Sequence, residues 1–464
     1  MLEQSVVQNV LGAALRTGGE WAEVFVEDKQ QSSGRLDDGR IEELSSLRDR
    51  GAGIRVVVGD TTGFAHTADL SENGLRLAAE AASAVARSGG GGVKEVALTR
   101  QTQKLINEIK VMPESVEKAA KVAILKRANE AARGVANSIQ QVNANYADVR
   151  RRIMVANSDG LLASDDQVRT RFSVTAVASG DTGMQTGYES TGFSMGWELF
   201  DTIDIEGFAQ KAANRAITKL KARPAPSGAV PVVLAKGSGG VMFHEACGHG
   251  LEADAVQKNT TVFAGRVGEL VASPLVTLVD DGTMGPEWGS FSIDDEGRPA
   301  TYNVLIKDGV LADYMWDFLR ARKAGRETSS GNGRRQGYEY LPMVRMTNTY
   351  VLAGEEDPEE IIRQTPNGVF VAHLGGGQVN TATGDFVFGM TEAYLIENGE
   401  ITDPIRDANL IGNGPDVLKN IDAVGNDFAM GSPGMCGKNG QSVPVGDGQP
   451  TLRVTAITVG GTAA

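Results

Sequence analysis

Two imidazoles and a carboxylate fall within six residues at His244-Glu245-Ala246-Cys247-Gly248-His249, in a chain of 464 residues that has four histidines and two cysteines. Imidazole is the commonest protein ligand for a metal ion, and a glutamate beside a bound zinc is the usual base for activating water. The spacing is HExxxH, one residue longer than HExxH. On a regular α-helix, residues i and i+4 lie about 40° apart around the axis, whereas i and i+5 lie about 140° apart. His244 and His249 therefore cannot reach one ion from an undistorted helix. A π-bulge adds one residue to a turn and returns both to one face. The spacing predicts a widened or broken helix at 246–249, with Gly248 tolerating the distortion.

A catalytic zinc normally has three protein ligands and an open position. Candidates for the third are Cys247, Cys436, His373, His66 and the carboxylates. Cys247 is at i+3 from His244, on the same helical face, but would compete with His249 once the helix is bulged. Cys436 lies in Gly431-Ser432-Pro433-Gly434-Met435-Cys436-Gly437-Lys438-Asn439-Gly440, where four glycines and a proline permit unusual backbone. A metal would deprotonate a thiol delivered on such a loop. A buried inert thiol is the plainer account of a lone cysteine, but this flank is unlike a packed strand and favours the ligand reading. His373-Leu374-Gly375-Gly376-Gly377 ends a strand whose glycines either admit a peptide backbone or form a loop. His66 reads as structural. Arg334-Arg335 has the bidentate geometry for a carboxylate, yet a solvated surface pair is the expectation.

These residues need elements to hold them. Apolar spacing predicts a helix over 3–16, then a meander with strands at 21–26, 41–47, 54–58 and 62–65, punctuated by Asp38-Gly39 and Gly59-Asp60. A helix over 71–87 follows, then a breaker at Gly89 to Gly92. A second long helix is expected over 115–137, strands at 147–156, 167–179 and 184–195, and a helix over 205–221. Arg223-Pro224-Ala225-Pro226-Ser227-Gly228 has linker chemistry. Beyond it, a buried strand at 229–234 leads through Gly237-Ser238-Gly239-Gly240 into the motif helix, which runs to about Ala255. That turn presents a helix N-terminus able to hold an anion, but no GxxxxGK[ST] is present. Hairpin signals recur at Asp308-Gly309 and Asn398-Gly399, and the last strand is at 451–459. The fold class is α+β. Residues 1–222 form an N-terminal α/β domain with antiparallel strands and long helices. Residues 229–464 form a C-terminal, mostly antiparallel, barrel-like β domain carrying the motif helix.

A net charge of −14 argues against nucleic acid and anionic membrane as main partners. No apolar run approaches the roughly 20 residues of a bilayer span. The first residues carry no signal-peptide pattern, and two distant cysteines make no disulfide framework, so the cytoplasm is the expected location. Arg150-Arg151-Arg152 reads as a solvated face. The acidic run Glu355 to Glu360 reads as a helix start, with Asp357 as N-cap and Pro358 in the first position.

The stretch from Val241 through His244-Glu245-Ala246-Cys247-Gly248-His249 to Asp254, together with the Gly431–Lys438 loop, resembles the signatures of the TldD/PmbA family of metallopeptidases. The layout is similar along nearly the whole chain. The resemblance is to the TldD type, which carries the complete metal site; the TldE or PmbA paralogue lacks it. It implies that His244, His249 and Cys436 are zinc ligands, one ion per active subunit, and that Glu245 is the catalytic carboxylate. It further implies cleavage of short or unfolded peptides in a chamber closed by subunit pairing, with either an identical chain or the TldE/PmbA-type paralogue. On the residues alone, two rivals stand: a metal-dependent hydrolase or modifying enzyme for a non-peptide bond, and a non-catalytic partner protein with a structural, four-ligand metal.

Overall fold

The computed structural model describes residues 1–86 and 95–461, so the Gly89 to Gly92 breaker lies outside the described residues. Helix α1 (Gln4–Leu15) buries Val7, Val10, Leu11 and Leu15 at the expected spacing. Strands β1 (Trp21–Asp37), β2 (Arg40–Val58) and β3 (Thr61–Thr67) form the meander. The β1–β2 turn puts Asp38 and Gly39 at φ 46° and 80°, as a tight two-residue hairpin requires. The expected strands at 41–47 and 54–58 are one continuous strand. Leu47 through Ala52 pair in register with Gln31 through Val26, although the exposed outer part of β2 shows no apolar alternation.

Helix α2 (Glu72–Val85) is capped by Ser71, whose side chain accepts from the Gly74 N–H. Next come the short strand β4 (Thr99–Arg100), α3 (Lys118–Arg133), β5 (Ile139–Asn157), β6 (Leu161–Gly180), β7 (Gly183–Phe193) and α4 (Ile205–Leu220). The sheet order is β3-β2-β1-β5-β6, with β4 and β7 both on the outer side of β6.

All four helices cover one face of this sheet. Strand side chains alternate between faces, so Ala22, Val24 and Val26 of β1 pack with α1 and α2. Tyr146, Phe172 and Val174 pack with α3 and α4. The other face presents Glu23, Phe25 and Glu27 to the second half of the chain. There Phe25, Ile153 and Val155 meet Ile293 and Tyr338. Ion pairs ring this contact. Glu23 binds Arg55 at 2.8 Å and Arg335 at 2.5 Å, Arg55 also binds Glu296 at 2.8 Å, and Arg151 bridges Glu27 and Asp295.

Two expectations are corrected here. Arg334 and Arg335 are not a surface pair; they are 4% and 1% exposed. Arg151 of the basic run also faces inward, because its β5 position points at the second half rather than at solvent. The acidic run behaves as expected: Asp357 accepts from the Glu359 and Glu360 N–H groups, and Pro358 starts a helix.

In the second half, β8 (Arg223–Pro224) pairs with Glu400–Arg406, and β9 (Gly228–Leu234) enters a closed barrel. Its five strands run in the order Asn367–Val379, β9, Leu452–Gly460, Asn409–Asn413, Asp385–Glu397, and the last pairs back to the first. Most pairings are antiparallel; β9 with Asn367–Val379 is parallel. A neighbouring sheet contains Leu278–Asp281, Asn348–Val351 and the long strand Gln441–Gln449. That last strand forms a hairpin with Gly434–Lys438, which carries Cys436.

Candidate metal centre

Helix α5 (Gly240–Phe243) starts six residues after β9, and the fully buried Met242 and Phe243 anchor it in the core of the second half. The next turn, His244–Gly248, is a π turn: the His249 N–H reaches back five residues to the His244 carbonyl. A tight 3₁₀ turn over His249–Leu251 ends the helix, and Glu252 is extended. The widening begins two residues earlier than the spacing predicts, and its effect is the predicted one. The two imidazoles stand edge to face with centroids 4.9 Å apart. Gly248 matters for a different reason than backbone freedom. Its φ of −52° is ordinary helix, but a Cβ there would lie 2.3 Å from Met346 Sδ.

The hairpin brings the thiol to the imidazoles. Cys436 Sγ lies 3.2 Å from His244 Nε2 and 3.3 Å from His249 Nε2. The three donor atoms sit within 4.8 Å of one another, a group able to hold a metal ion. The set of two imidazoles and one thiolate is one that catalytic zinc accepts with a fourth position open. Burial alone would raise the Cys436 thiol, but hydrogen bonds and charge from His244 and His249 outweigh it and hold it at about 4. The donors therefore fit a soft divalent cation.

Behind the donors, the Glu252 carboxylate accepts from His249 Nδ1 at 3.0 Å, which turns Nε2 toward the thiol. Lys438 Nζ donates to Glu252 at 2.8 Å and to Asp254 at 2.7 Å. Burial works against the Glu252 anion, yet the charges of His249 and Lys438 keep it at about 2. Glu252 and Lys438 received no role from the sequence. The signal for Glu252 was there, since a carboxylate at i+3 faces its histidine on a helical turn. Arg345, fully buried, donates to the Cys436 carbonyl and fixes the backbone of the hairpin.

Glu245 faces the same space, with Oε2 4.0 Å from His249 Nε2. Burial raises its carboxyl, partly offset by the two imidazoles. Together these residues line a cavity of about 730 Å³, which Gly377, Gln378 and Asp447 also border. Asp447 is buried and burial pushes it up to about 7; nothing local in the sequence marks it.

The other candidate ligands lie elsewhere. Cys247 points back along its own helix, donating to the Phe243 carbonyl at 3.2 Å, and burial pushes it up to about 12. His373 lies outside the donor group and feels the charges of Arg215, Glu189 and Glu392. His66 packs between the rings of Phe64 and Tyr338.

Three family models match in succession: PmbA/TldA metallopeptidase domain 1 over residues 22–86, the central domain over 112–220, and the C-terminal domain over 227–461. The chain belongs to the PmbA/TldD metallopeptidase family. It is 39% identical to a metalloprotease TldD homolog of Haemophilus influenzae, covering 99% of this chain and 97% of the relative. It is 36% identical to a metalloprotease of Methanothermobacter thermautotrophicus, covering 96% of each. The fold is shared with the crystal structure of TldE from Thermococcus kodakarensis, at a TM-score of 0.77 and 21% identity over 98% of this chain and 99% of that one. Among the described residues no helix is long and apolar enough to cross a membrane.

Proposed function

We propose that this chain is a zinc-dependent peptidase for short or unfolded peptides, with His244, His249 and Cys436 as the zinc ligands and Glu245 as the catalytic carboxylate. The observation that carries this reading is the placement of Glu245. It faces the cavity beside three converging donors; of the two carboxylates there without a side-chain hydrogen bond among the described residues, Glu245 and Asp447, it is the one whose oxygen lies 4.0 Å from the ligand nitrogen of His249. A zinc ion held by those donors would supply Lewis acidity, which acidifies water and polarises a peptide carbonyl.

The rest falls to the chain's own side chains. Glu245, its carboxyl raised by burial, takes a proton from water and returns it to the departing amine. Glu252 and Lys438 hold His249 in one tautomer and orientation. Among the described residues the donor group has three members rather than four, which favours a catalytic over a structural site. Chamber formation by pairing, with an identical chain or a TldE-type paralogue, belongs to the same proposal, and the TldE-like fold supports it. A cytoplasmic location agrees with two buried, unpaired cysteines.

Replacing Glu245 by Ala tests the assignment. Cleavage of an unfolded-peptide pool should stop while zinc content stays at one ion per subunit. Undiminished cleavage by that variant would overturn the role of Glu245.

A further inference from the structure

The hairpin bearing Cys436 is a partition. On one side is the metal-site cavity. On the other, between the hairpin and the first sheet, is a second cavity of about 430 Å³. Met435, 50% exposed, borders both.

This second cavity carries the wrong charge for the chain. The protein is strongly acidic, at −14, yet six cationic side chains line this space against two carboxylates, Asp148 and Asp295. Both carboxylates are already engaged, Asp148 by Lys121 and Asp295 by Arg151. Arg335 is held by Glu23. Four cations remain: Lys29, Arg169, Arg171 and Arg334. None of these has an ion-pair partner among the described residues.

Two of the four are nearly inaccessible, Arg169 at 3% and Arg334 at 4% exposure. Arg169 donates to the carbonyls of Trp288 and Ser290, both at 2.8 Å, and to Gln167. Arg334 donates to the carbonyls of Met346 and Pro444. Carbonyls fix the orientation of a guanidinium but do not neutralise it. Burial pushes both arginines down, Arg169 to about 10 with repulsion from Arg151 and Arg334 to about 9 with repulsion from Arg169 and Arg345, against the more distant pull of Asp165 and Asp295 on the first and of Asp295 and Asp280 on the second. A buried charge without a direct ion-pair partner is costly and is normally paired. Here the walls are prepositioned for an anion.

We propose that this cavity is a carboxylate-binding subsite, receiving the C-terminal carboxylate or an acidic side chain of the peptide whose scissile bond lies on the Cys436 side of the hairpin. The assignment rests on the peptidase reading for the source of the carboxylate. The volume is that of an ordinary small-ligand pocket. A cleft lined by one sign of charge also concentrates the complementary ligand, and guanidinium forks match carboxylates in geometry. Met435 at the shared rim is where an extended chain would pass from one cavity to the other.

Binding separates this proposal from the peptidase reading, because it requires no turnover. The protein is full-length, zinc-loaded and carries Glu245→Gln, so that peptide survives. Calorimetric titration compares an N-acetylated tripeptide ending in Glu with the same peptide ending in Gln-amide. The acidic peptide should bind at least about tenfold tighter, the worth of a charge-assisted hydrogen bond. Adding Lys29→Gln and Arg171→Gln, both half-buried side chains outside the core packing, should remove most of that preference. Arg334→Lys, which retains charge but not the fork, should remove part of it. Equal affinity for the two peptides, or a preference indifferent to the substitutions, overturns the proposal. So does inorganic phosphate binding at this cavity without competing against the acidic peptide, since the cavity would then serve a free oxyanion. Retained acidic preference in a protein that cleaves nothing would leave the subsite standing and remove the peptidase reading alone.

Discussion

Glu252 accepts the Nδ1 proton of His249 at 3.0 Å while itself 1% exposed, so one imidazole of the metal group has its tautomer set from behind. The carboxylate keeps its charge because of His249 and of Lys438, which stands 2.8 Å away on the same hairpin that delivers Cys436. The two ends of the site are therefore coupled by an ion pair as well as by the donor group.

Glu252→Gln keeps the shape and an acceptor for His249 but removes the charge. Zinc affinity should fall by about 10–100-fold, the usual cost of losing a carboxylate behind a metal-bound histidine. Titration against a competing chelator measures it. Unchanged affinity would mean that orientation of His249 comes from packing alone.

The two cysteines should behave oppositely. Cys436→Ser replaces a thiol held near 4 by a hydroxyl that stays protonated, and zinc occupancy of the purified protein should fall sharply. Cys247→Ser leaves the donors untouched and should keep its zinc. Elemental analysis of both proteins decides it, and loss of zinc from the Cys247 variant would return that thiol to the ligand set.

The local part of this arrangement was legible in the sequence. HExxxH demands a widened turn, and a widened turn is found, because the geometry of i and i+5 depends only on helix pitch. The α+β class and the main helices were legible for the same reason, through periodicity. What local patterns do not encode is which face of a strand meets another sheet. Arg334, Arg335 and Arg151 looked like surface charge because arginine usually is. Arg335 is buried because Glu23 on β1, 312 residues away, faces it across the sheet contact; Arg151 is held there by Asp295 of the second half as well as by Glu27 on the neighbouring strand, and Arg334 by the carbonyls of Met346 and Pro444. Asp447 escaped notice likewise, reaching the metal-site cavity only through the pairing of Gln441–Gln449 with its neighbours. Gly248 was noticed for the wrong reason, since its constraint comes from Met346, nearly a hundred residues along the chain.

That constraint is testable. A methyl at Gly248 would sit 2.3 Å from Met346 Sδ, too close without movement of the core or of the π turn. Gly248→Ala should destabilise the fold by about 1–3 kcal/mol, the range for overpacking. Met346→Ala removes the obstructing sulfur, so the same substitution made in that background should cost much less. Urea unfolding of the four proteins closes the cycle. Additive costs would show that the glycine serves the turn's backbone rather than this close approach.

Asp317 gives the fold a pH dependence away from the metal. Its carboxylate is 3% exposed, caps a helix by accepting from the Arg320 N–H at 2.7 Å, and lies near Glu296. Burial first, and then the Glu296 charge, push it up to about 7. In the unfolded chain an aspartate titrates near 4. Between these values the folded state holds more protons than the unfolded state. The stabilisation is therefore complete below about pH 4 and is lost as pH rises toward about 7. Asp317→Asn keeps the capping oxygen and removes the titration. Relative to the variant, the unmodified protein should lose about 1–3 kcal/mol of unfolding free energy between pH 5 and pH 8, an order-of-magnitude figure from linkage. Denaturant unfolding of both proteins at the two pH values isolates this site, because losses common to both, including any from metal release, cancel in the difference. Parallel pH profiles would show that Asp317 remains ionised in the folded chain, stabilised by Arg55 and Arg320 more strongly than burial opposes it.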